Sequence, residues 1–237
     1  MDEVTLQRQY YAQTAGQYDD MHGEATAGLG LPFLSCAIEY LGAKTVLDVG
    51  AGTGTVIRAL QGRAHVVGVE PVKELREQGH RNGIDPSQLV DGNGYELNFP
   101  DGSFDLVCEF AMLHHVKYPN RVVQEMLRVA RRGVVIVDSN NFGQGSAGTR
   151  VIKQALHALK LWPLANYIKT RGKGYIYTEG DGISYSYSVF DSYPLLAASC
   201  SSVHVLNIDG GINPYRTSAG CALLGIKGNT APSGSGI

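Results

Sequence analysis

The stretch from Val46 to Gly54 constrains the fold of this 237-residue chain more than any other segment. It reads Val-Leu-Asp-Val-Gly-Ala-Gly-Thr-Gly, a short apolar run followed by three glycines within five residues. Glycine lacks a Cβ, so such a turn lets the backbone approach a bound ligand closely. α/β proteins hold nucleotides where a strand passes through a glycine-rich turn into a helix. The segment therefore predicts an α/β fold with a nucleotide-like ligand at the carboxyl edge of a sheet.

Apolar runs alternate with helix-like segments through the middle of the chain. The runs are short, rich in Val and Leu and bounded by Gly, Asp or Pro, which is typical of buried strands. The predicted strands are Thr45–Val49, His65–Val69, Gln88–Asp91, Asp105–Cys108 and Gly133–Val137, followed later by Val203–Ile208 and Cys221–Ile226. The predicted helices between them are Thr55–Gln61, Val72–Arg81 and Asn120–Arg131, the last with Gly133 as its end signal. This order predicts a doubly wound, mostly parallel sheet of seven strands.

We expect residues 1–228 to form one domain with two additions to the sheet. Residues 1–44 are predicted to be an N-terminal helical lid with helices at Val4–Tyr18 and Leu31–Leu41. Residues 139–190 are predicted to be a second lid, inserted after the fifth strand. From Ser139 to Thr178 this insertion has six basic residues and no acidic one, and tyrosines are concentrated towards its end. Residues 229–237, rich in Gly, Ser and Pro, are predicted to be a disordered tail.

Composition and charge exclude several classes of protein. The net charge of −2 gives no global basic field, so a nucleic-acid partner is not expected. The four cysteines are far apart without a Cys-x-x-Cys pair, and no metal site is predicted. The N-terminus lacks a signal-peptide pattern. No apolar run approaches the roughly 20 residues that span a bilayer. These features predict a cytoplasmic protein, monomeric or homodimeric, that does not associate with membranes.

The glycine turn departs from the dinucleotide fingerprint. In Gly-x-Gly-x-x-Gly numbering, Thr55 stands where the third glycine is required. Asp48 places a carboxylate beside the turn, which would repel a pyrophosphate and attract a cation. S-adenosylmethionine carries a sulfonium and an ammonium group and has no phosphate. Glu70 follows Gly50 by 20 residues and ends the second strand, where an acidic side chain can accept both ribose hydroxyl hydrogens.

At these residues the chain resembles the class I S-adenosylmethionine-dependent methyltransferases. Val46–Gly54 resembles their first motif, and Val67–Pro71 resembles their second. Asn98–Val107 is similar to the region before their fourth strand, and Leu113–Val116 completes the pattern of small-molecule members such as the ubiquinone/menaquinone methyltransferase group. The resemblance covers roughly residues 40 to 138 and implies S-adenosylmethionine as the cofactor.

The resemblance also implies cofactor-binding residues at the ends of the strands and on the N-terminal helix. They are Tyr10, Tyr18, Asp48, Gly50, Ala51, Gly52, Thr53, Gly54, Glu70, Pro71, Asn93, Gly94, Glu109 and Phe110. Asp48 would lie near the amino group of the cofactor, and Glu70 would hold its ribose. Asn93 replaces the Asp that the family usually places near the adenine amino group. Asp48→Ala and Glu70→Ala are each predicted to weaken cofactor binding substantially.

Methyl transfer from a sulfonium needs alignment above all, and a general base only when the acceptor must lose a proton. His114, His115 and Glu109 are the candidate catalytic residues, and only one of the two adjacent histidines is expected to face the pocket. The predicted substrate contacts are Tyr11, His114, Asn140, Asn141, Tyr175, Tyr177 and Tyr185. Tyrosine offers a flat apolar wall with a polar tip. We therefore expect methylation at O or N of a small aromatic or ring-containing metabolite.

Three other functions fit parts of the sequence. The basic insertion is the only support for a nucleic-acid or protein methyltransferase. The Asp/Asn-Pro-Pro-aromatic motif of many such enzymes is replaced here by Glu109-Phe110-Ala111-Met112. A non-catalytic protein that binds S-adenosylmethionine would use overlapping residues. A nicotinamide dehydrogenase is disfavoured by the missing third glycine and by Asp48.

Overall fold

A computed structural model describes residues 3–19 and 29–228, and its centre is a seven-stranded sheet. The strands of this sheet are β1 (Thr45–Val49), β2 (His65–Val69), β3 (Leu89–Val90), β4 (Phe104–Phe110), β5 (Ala130–Ser139), β8 (Ser202–Asn207) and β9 (Gly220–Ile226). Their order is β3-β2-β1-β4-β5-β9-β8. The first five are parallel, and β9 is antiparallel to both of its neighbours. The predicted α/β fold with a mostly parallel seven-stranded sheet is confirmed.

Eight α-helices connect or flank the described strands. They are α1 (Glu3–Thr14), α2 (Gly30–Leu41), α3 (Thr55–Ala59), α4 (Lys73–Arg81), α5 (Pro119–Val129), α6 (Ala147–Ala158), α7 (Trp162–Lys169) and α8 (Val189–Ser199). Strands β6 (Tyr175–Thr178) and β7 (Gly182–Tyr185) form a separate antiparallel hairpin. Among the described residues no helix is long and apolar enough to cross a membrane.

The central strands of the sheet are buried on both faces, as expected for parallel strands covered by helices. One apolar cluster contains Leu47, Val107 and Ile136, together with Met126 of α5. A second contains Val46, Leu106 and Val135, which alternate with the first set along the same strands, and it packs against α2 and α3. The two sets occupy opposite faces because successive side chains of a strand point to opposite sides. This rigid double layer holds the turns at the carboxyl ends of its strands.

The strand order reverses between β1 and β4, which are both central. β1 pairs with β4 in parallel, with Val46 opposite Leu106 and Asp48 opposite Cys108. From β1 the chain continues towards β2 and β3, and from β4 towards β5, so the connecting segments diverge. A crevice therefore opens above the carboxyl ends of β1 and β4, where open α/β sheets bind their ligands.

The structure corrects several predicted boundaries. Helix α5 ends at Val129 and β5 begins at Ala130, so Arg131 and Arg132 lie on the strand and Gly133 is not a helix end. The reason is tertiary: both arginines bind Asp105, and Ala130 pairs with Phe104. The N-terminal α-helix ends at Thr14 and continues as a 3₁₀ turn.

Four elements of the later chain are absent from the sequence prediction: the hairpin strands β6 and β7 and the helices α7 and α8. Helix α8 begins at a capping box in which Ser188 and Asp191 exchange side-chain and backbone hydrogen bonds. Pro194 inside this helix hid its helical pattern. The predicted tail at residues 229–237 lies outside the described residues, and the lid roles of residues 1–44 and 139–190 stay predictions.

Candidate functional site

A cavity of about 240 Å³ lies above the carboxyl ends of β1, β2 and β4. Strand ends supply Gly50, Glu70 and Phe110 to its floor, and α1 supplies Tyr11 to its wall. Tyr185, which ends the hairpin, lines it as well. The lining is mostly apolar and aromatic with a few convergent polar groups, which is typical of a small-molecule site.

The glycine turn forms the tight floor that the sequence predicts. Gly50 has φ +78°, and a Cβ at this position would lie 2.5 Å from Cγ of Met112. A Cβ on Gly52 would lie 2.9 Å from the Tyr18 ring, so the tyrosine rests directly on the turn. Gly54 has φ +80°, and its Cβ would collide with Ile84. The three glycines are thus required both by backbone conformation and by close packing.

Two buried carboxylates lie beneath the turn. Glu70 lines the cavity and accepts hydrogen bonds from the backbone N–H groups of Gly52 (3.0 Å) and Val72 (2.8 Å). Burial raises the pKa of Glu70 to about 7, against the lowering effect of those two hydrogen bonds. Burial, followed by the nearby Glu70 charge, raises the pKa of Asp48 to about 7. Burial penalises only the charged form of a carboxyl group. A nearby cation would therefore stabilise the ionised form of Glu70 and of Asp48.

Seven of the fourteen predicted cofactor residues line the cavity: Tyr18, Gly50, Glu70, Pro71, Asn93, Gly94 and Phe110. The rest do not, and they are Tyr10, Asp48, Ala51, Gly52, Thr53, Gly54 and Glu109. Thr53 is fully buried and donates its hydroxyl hydrogen to Asp19, which also pairs with Arg58 at 3.2 Å. Thr53 therefore ties the segment after α1 to the glycine turn. Tyr10 donates to the Glu179 carbonyl at 3.0 Å and so ties α1 to the hairpin.

Glu109, one of the predicted catalytic residues, is completely buried and does not line the cavity. Its side chain has no exposed surface and accepts hydrogen bonds from the backbone N–H groups of Met112 (3.0 Å) and Val137 (3.1 Å). Burial, together with the Asp138 charge, raises the pKa of Glu109 well above its ordinary value. Its role in the structure is to fix the chain as it leaves β4, beneath the cavity rather than inside it.

The two adjacent histidines share Asp181 through Nε2 but differ in the partner of Nδ1. His114 places Nδ1 2.6 Å from Asp138 Oδ1 and Nε2 3.6 Å from Asp181 Oδ2. Burial alone would lower the pKa of His114, but the Asp138 charge and hydrogen bond, with a further contribution from Asp181, raise it to about 10. His114 is therefore a protonated anchor at neutral pH. It is absent from the cavity lining.

His115 lines the cavity, as the sequence predicted for one of the pair. Its Nδ1 lies 2.6 Å from the Ile183 carbonyl oxygen and 3.2 Å from the Gln7 amide nitrogen. The shorter contact decides the tautomer, because a carbonyl oxygen can only accept and Nδ1 must then carry the hydrogen. Nε2 is left with a lone pair, 3.4 Å from Asp181 Oδ1. The ring of His115 thus lines the cavity with Nε2 beside a carboxylate oxygen and Nδ1 held by a backbone carbonyl.

The predicted substrate contacts divide in the same way. Tyr11 and Tyr185 line the cavity, whereas Asn140, Asn141, Tyr175 and Tyr177 do not. Asn140 is corrected most clearly: it is fully buried, and its amide donates to the carbonyls of Pro214 and Ser218. Asn141 donates to Ser186 Oγ at 3.0 Å. Both asparagines hold the start of the insertion against later loops, which is a non-local task that sequence spacing does not reveal.

Several site residues escaped the sequence analysis. Gln7, Arg8 and Lys117 line the cavity, and Asp138 and Asp181 position the histidines. Asp138 carried a usable signal, since it ends the apolar run of β5 at the same edge as the glycine turn. Asp181 lies between two glycines of a hairpin turn, and nothing in that local pattern indicates a site.

His114, His115 and Asp181 are also the only three described side chains whose metal-ligating atoms converge, within 4.8 Å of one another. A divalent cation could bind there only if both imidazoles were neutral. The raised pKa of His114 opposes that state. The prediction of no metal remains untested.

Comparison with known proteins shows that the middle of the chain is similar to methyltransferases. Residues 47–137 match the methyltransferase domain family. A phosphatidylethanolamine N-methyltransferase of Cereibacter sphaeroides is 34% identical over 116 residues, which cover 47% of this chain and 57% of that protein. A demethylmenaquinone methyltransferase of Clavibacter sepedonicus is 36% identical over 104 residues, covering 43% of this chain and 42% of that protein. The chain thus spans about half the length of the curated relatives it matches.

Solved structures share the fold across nearly the whole chain. Magnesium protoporphyrin IX methyltransferase from Synechocystis, with bound S-adenosylhomocysteine, superposes with a TM-score of 0.61. The match covers 96% of this chain and 100% of that protein at 15% identity. A Thermotoga maritima S-adenosylmethionine-dependent methyltransferase gives a TM-score of 0.57 at 15% identity and covers 93% of this chain and 99% of that one. The predicted resemblance to class I methyltransferases, and S-adenosylmethionine as the cofactor of that family, are confirmed.

Proposed function

Because residues 47–137 carry a methyltransferase domain on a class I fold, we propose that this protein transfers a methyl group from S-adenosylmethionine to O or N of a small, ring-containing metabolite. The observation that carries this proposal is the cavity itself. It joins the glycine turn and Glu70 on one side to Tyr11, Tyr185 and His115 on the other. A ring can stack between tyrosines while its polar atom faces the imidazole.

The residues beneath the cavity fit a cationic cofactor without phosphate. Glu70 and Asp48 would hold its sugar and amino groups, and Gly50 to Gly54 would let it lie against the backbone. Asn93 and Pro71, which line the cavity beyond Glu70, would flank its base. When bound, the cofactor supplies a methyl group already activated by the positive sulfur.

His115 would receive the proton that the acceptor loses. The cofactor would supply the methyl group and keep the electrons of its sulfur–carbon bond, and Nε2 of His115 would accept the proton that an O–H or N–H acceptor loses as it takes the methyl group. Asp181 would stabilise the imidazolium that forms, and the Ile183 carbonyl keeps the ring oriented through Nδ1. An acceptor without an acidic proton would not need this step.

The aromatic walls would exclude water and align the acceptor. Tyr11 stacks edge-on against both Tyr18 and His115, with ring centroids 5.8 Å apart in each case. Such edge-to-face contacts restrict the rings and preform the pocket. We further propose that the protein acts in the cytoplasm, in keeping with the buried free thiols Cys108 and Cys221.

Isothermal titration with S-adenosylmethionine and S-adenosylhomocysteine is the first test, and we expect saturable binding to one site. The second is methyl transfer from labelled cofactor to a panel of phenols, hydroxyquinones, ring amines and structured RNA. Transfer to ring hydroxyl or amino groups supports the proposal. Transfer only to RNA, or binding without transfer to any compound of the panel, would overturn it. Failure to bind either cofactor would overturn the cofactor assignment as well.

A further inference from the structure

Helices α6 and α7 of the insertion present their apolar side chains to solvent. On α6 and the residue after it, Val151, Ile152 and Leu159 are 65%, 62% and 67% exposed. On α7 and the residue before it, Leu161, Leu164 and Ile168 are 46%, 59% and 68% exposed. We call these six residues, with the exposed Lys160, Lys169, Arg171 and Lys173, the apolar-basic surface. Monomers rarely leave such a patch uncovered unless it binds something.

Two polar side chains of α6, Lys153 and Gln154, point inward, opposite to its exposed apolar residues. Lys153 is buried, and its Nζ donates to the Asn141 carbonyl. Gln154 donates to the carbonyls of Phe142 (3.1 Å) and Arg216 (3.0 Å). The apolar residues at 151, 152, 155 and 159 fall within one arc of the helix. Because the inner face is already fixed by hydrogen bonds, the outer stripe is free for an apolar environment.

The link between the helices projects the surface outward. Lys160 adopts a left-handed conformation with φ +60°, and the N–H of Leu161 donates to the Leu156 carbonyl at 2.8 Å. This tight turn holds Leu159 and Leu161 on either side of Lys160. An ammonium group is thereby flanked by two exposed leucines, an arrangement in which the charge can remain at a polar boundary while the leucines enter an apolar phase.

The positive charge of the insertion favours an anionic partner over a second copy of this chain. From Ser139 to Thr178 the chain has no acidic residue, although the whole chain has a net charge of −2. A second copy seated through a two-fold axis would bring the same patch, and therefore the same cations, face to face. An anionic lipid surface instead offers phosphates to the lysines and acyl chains to the leucines.

We propose that the apolar-basic surface docks this protein on an anionic membrane surface, as a peripheral contact without a spanning segment. Aliphatic side chains of α6 and α7 insert at the boundary of the acyl chains, and Lys160, Lys169, Arg171 and Lys173 contact lipid phosphates. The inference is independent of methyl transfer and replaces the expectation of no membrane partner. It places the insertion, which continues through the hairpin to the cavity residue Tyr185, against the bilayer.

Co-sedimentation of the full chain with vesicles tests the proposal. We expect binding to phosphatidylcholine vesicles that contain phosphatidylglycerol, and far weaker binding to pure phosphatidylcholine. Added salt should weaken the binding, since phosphate contacts are screened. Lys160→Glu with Lys169→Glu should lower the partition coefficient at least roughly 25-fold, taking about fivefold for each cation removed.

A second variant isolates the apolar contribution. Ile152→Ser with Leu159→Ser and Leu164→Ser should abolish sedimentation, while cofactor binding and the melting temperature stay at wild-type values because these side chains pack against little of the protein. Tyr40→Ser and Arg63→Glu are the matched controls, being exposed residues outside the insertion. No sedimentation of the wild type with anionic vesicles would overturn the proposal. So would equal losses in the control variants, or a wild-type dimer that the apolar variant converts to a monomer.

Discussion

At the scale of single residues, Glu70 and Asp48 are two buried carboxylates at the floor of the site. Both are almost completely buried, and each has a pKa raised to about 7 by burial. Because these pKa values lie near 7, each carboxyl group is partly protonated at neutral pH when no cation is bound. We propose that the positive charge of the bound cofactor stabilises the ionised form of these carboxylates.

Cofactor affinity should therefore rise with pH through neutrality. A cationic ligand favours the ionised carboxylates, so below pH 7 binding must expel a proton, and above it no proton is lost. Affinity for S-adenosylmethionine should increase between pH 6 and pH 8, by up to about tenfold per pH unit for one proton released. Titration calorimetry in buffers of different ionisation enthalpy measures both quantities.

Glu70→Gln tests which carboxylate is responsible. This variant should bind the cofactor more weakly and with a shallower pH dependence, since only Asp48 still titrates. Glu77→Gln, an exposed carboxylate on α4, is the control and should behave as the wild type. A full pH dependence retained in Glu70→Gln would contradict the assignment to Glu70.

His115 and His114 should be functionally distinct although they are neighbours. His115→Gln should lower kcat by roughly 10²- to 10⁴-fold for an acceptor that loses a proton, with little change in cofactor affinity. His114→Gln should instead disturb the hairpin, because it removes the cation that lies between Asp138 and Asp181. Steady-state kinetics and cofactor titration of both variants separate the roles. Equal kcat in wild type and His115→Gln would exclude His115 as the base.

At the scale of elements, the start of β1 depends on one carboxylate from β4. Asp105 accepts hydrogen bonds from the backbone N–H groups of Lys44 (2.8 Å) and Thr45 (3.2 Å) and binds Arg131 at 2.6 Å. Burial would raise its pKa, but these partners outweigh burial and lower the pKa to about 2. Asp105 thus fastens the first residues of the central strand to its neighbour.

Asp105→Asn should destabilise the fold by about 2–4 kcal/mol, because a buried charged acceptor is lost while its donors remain. Equilibrium urea unfolding measures the change. Asp101→Asn, which removes an exposed partner of Arg128, is the control and should cost less than about 1 kcal/mol. Comparable losses in the two variants would show that Asp105 is not a special anchor.

Asp105 should also contribute to the loss of folding stability at acidic pH. A carboxylate whose folded pKa is depressed stabilises the protein above its unfolded pKa, and this contribution disappears as the pH falls through the folded value. The wild type should therefore lose the contribution of Asp105 between about pH 4 and pH 2. Asp105→Asn should show a smaller loss of stability across that interval.

At the scale of the whole molecule, the N-terminal helix α1 and the β6–β7 hairpin are joined by hydrogen bonds beside the cavity. Gln7 of α1 accepts a hydrogen bond from the backbone N–H of Ile183 in the hairpin at 2.5 Å, and the Ile183 carbonyl in turn orients His115. Residues 176 positions apart thereby share one hydrogen-bonded junction over the cavity. The N-terminal helix and the insertion are coupled through this junction.

Gln7→Ala should loosen the hairpin and disorient His115 together. We expect amide exchange at Ile183 to accelerate by roughly fivefold, the value of one ordinary hydrogen bond, and kcat to fall without loss of the fold. Gln13→Ala, at an exposed position of the same helix, should change neither. Unaltered exchange at Ile183 in Gln7→Ala would mean that the junction does not hold the hairpin.

The sequence by itself determined the α/β fold and the glycine turn, and it indicated Asp48 and Glu70, of which Glu70 lines the cavity. These features depend on residues close together in the chain: alternating apolar periods, glycines that no other residue replaces, and acids at predictable strand ends. Resemblance to a known family added the cofactor, because the motifs that carry the resemblance are also short segments of consecutive residues.

Only the tertiary structure decided which of two adjacent histidines faces the cavity, that Asp138 and Asp181 serve them, and that Glu109 and Asn140 are buried braces. It also turned the apolar stripe of α6 outward. Each of these outcomes depends on partners distant in the chain, such as Ile183 for His115, 68 positions away. The periodicity of a helix shows that it has an apolar face, but the hydrogen bonds of its polar face determine where that face points.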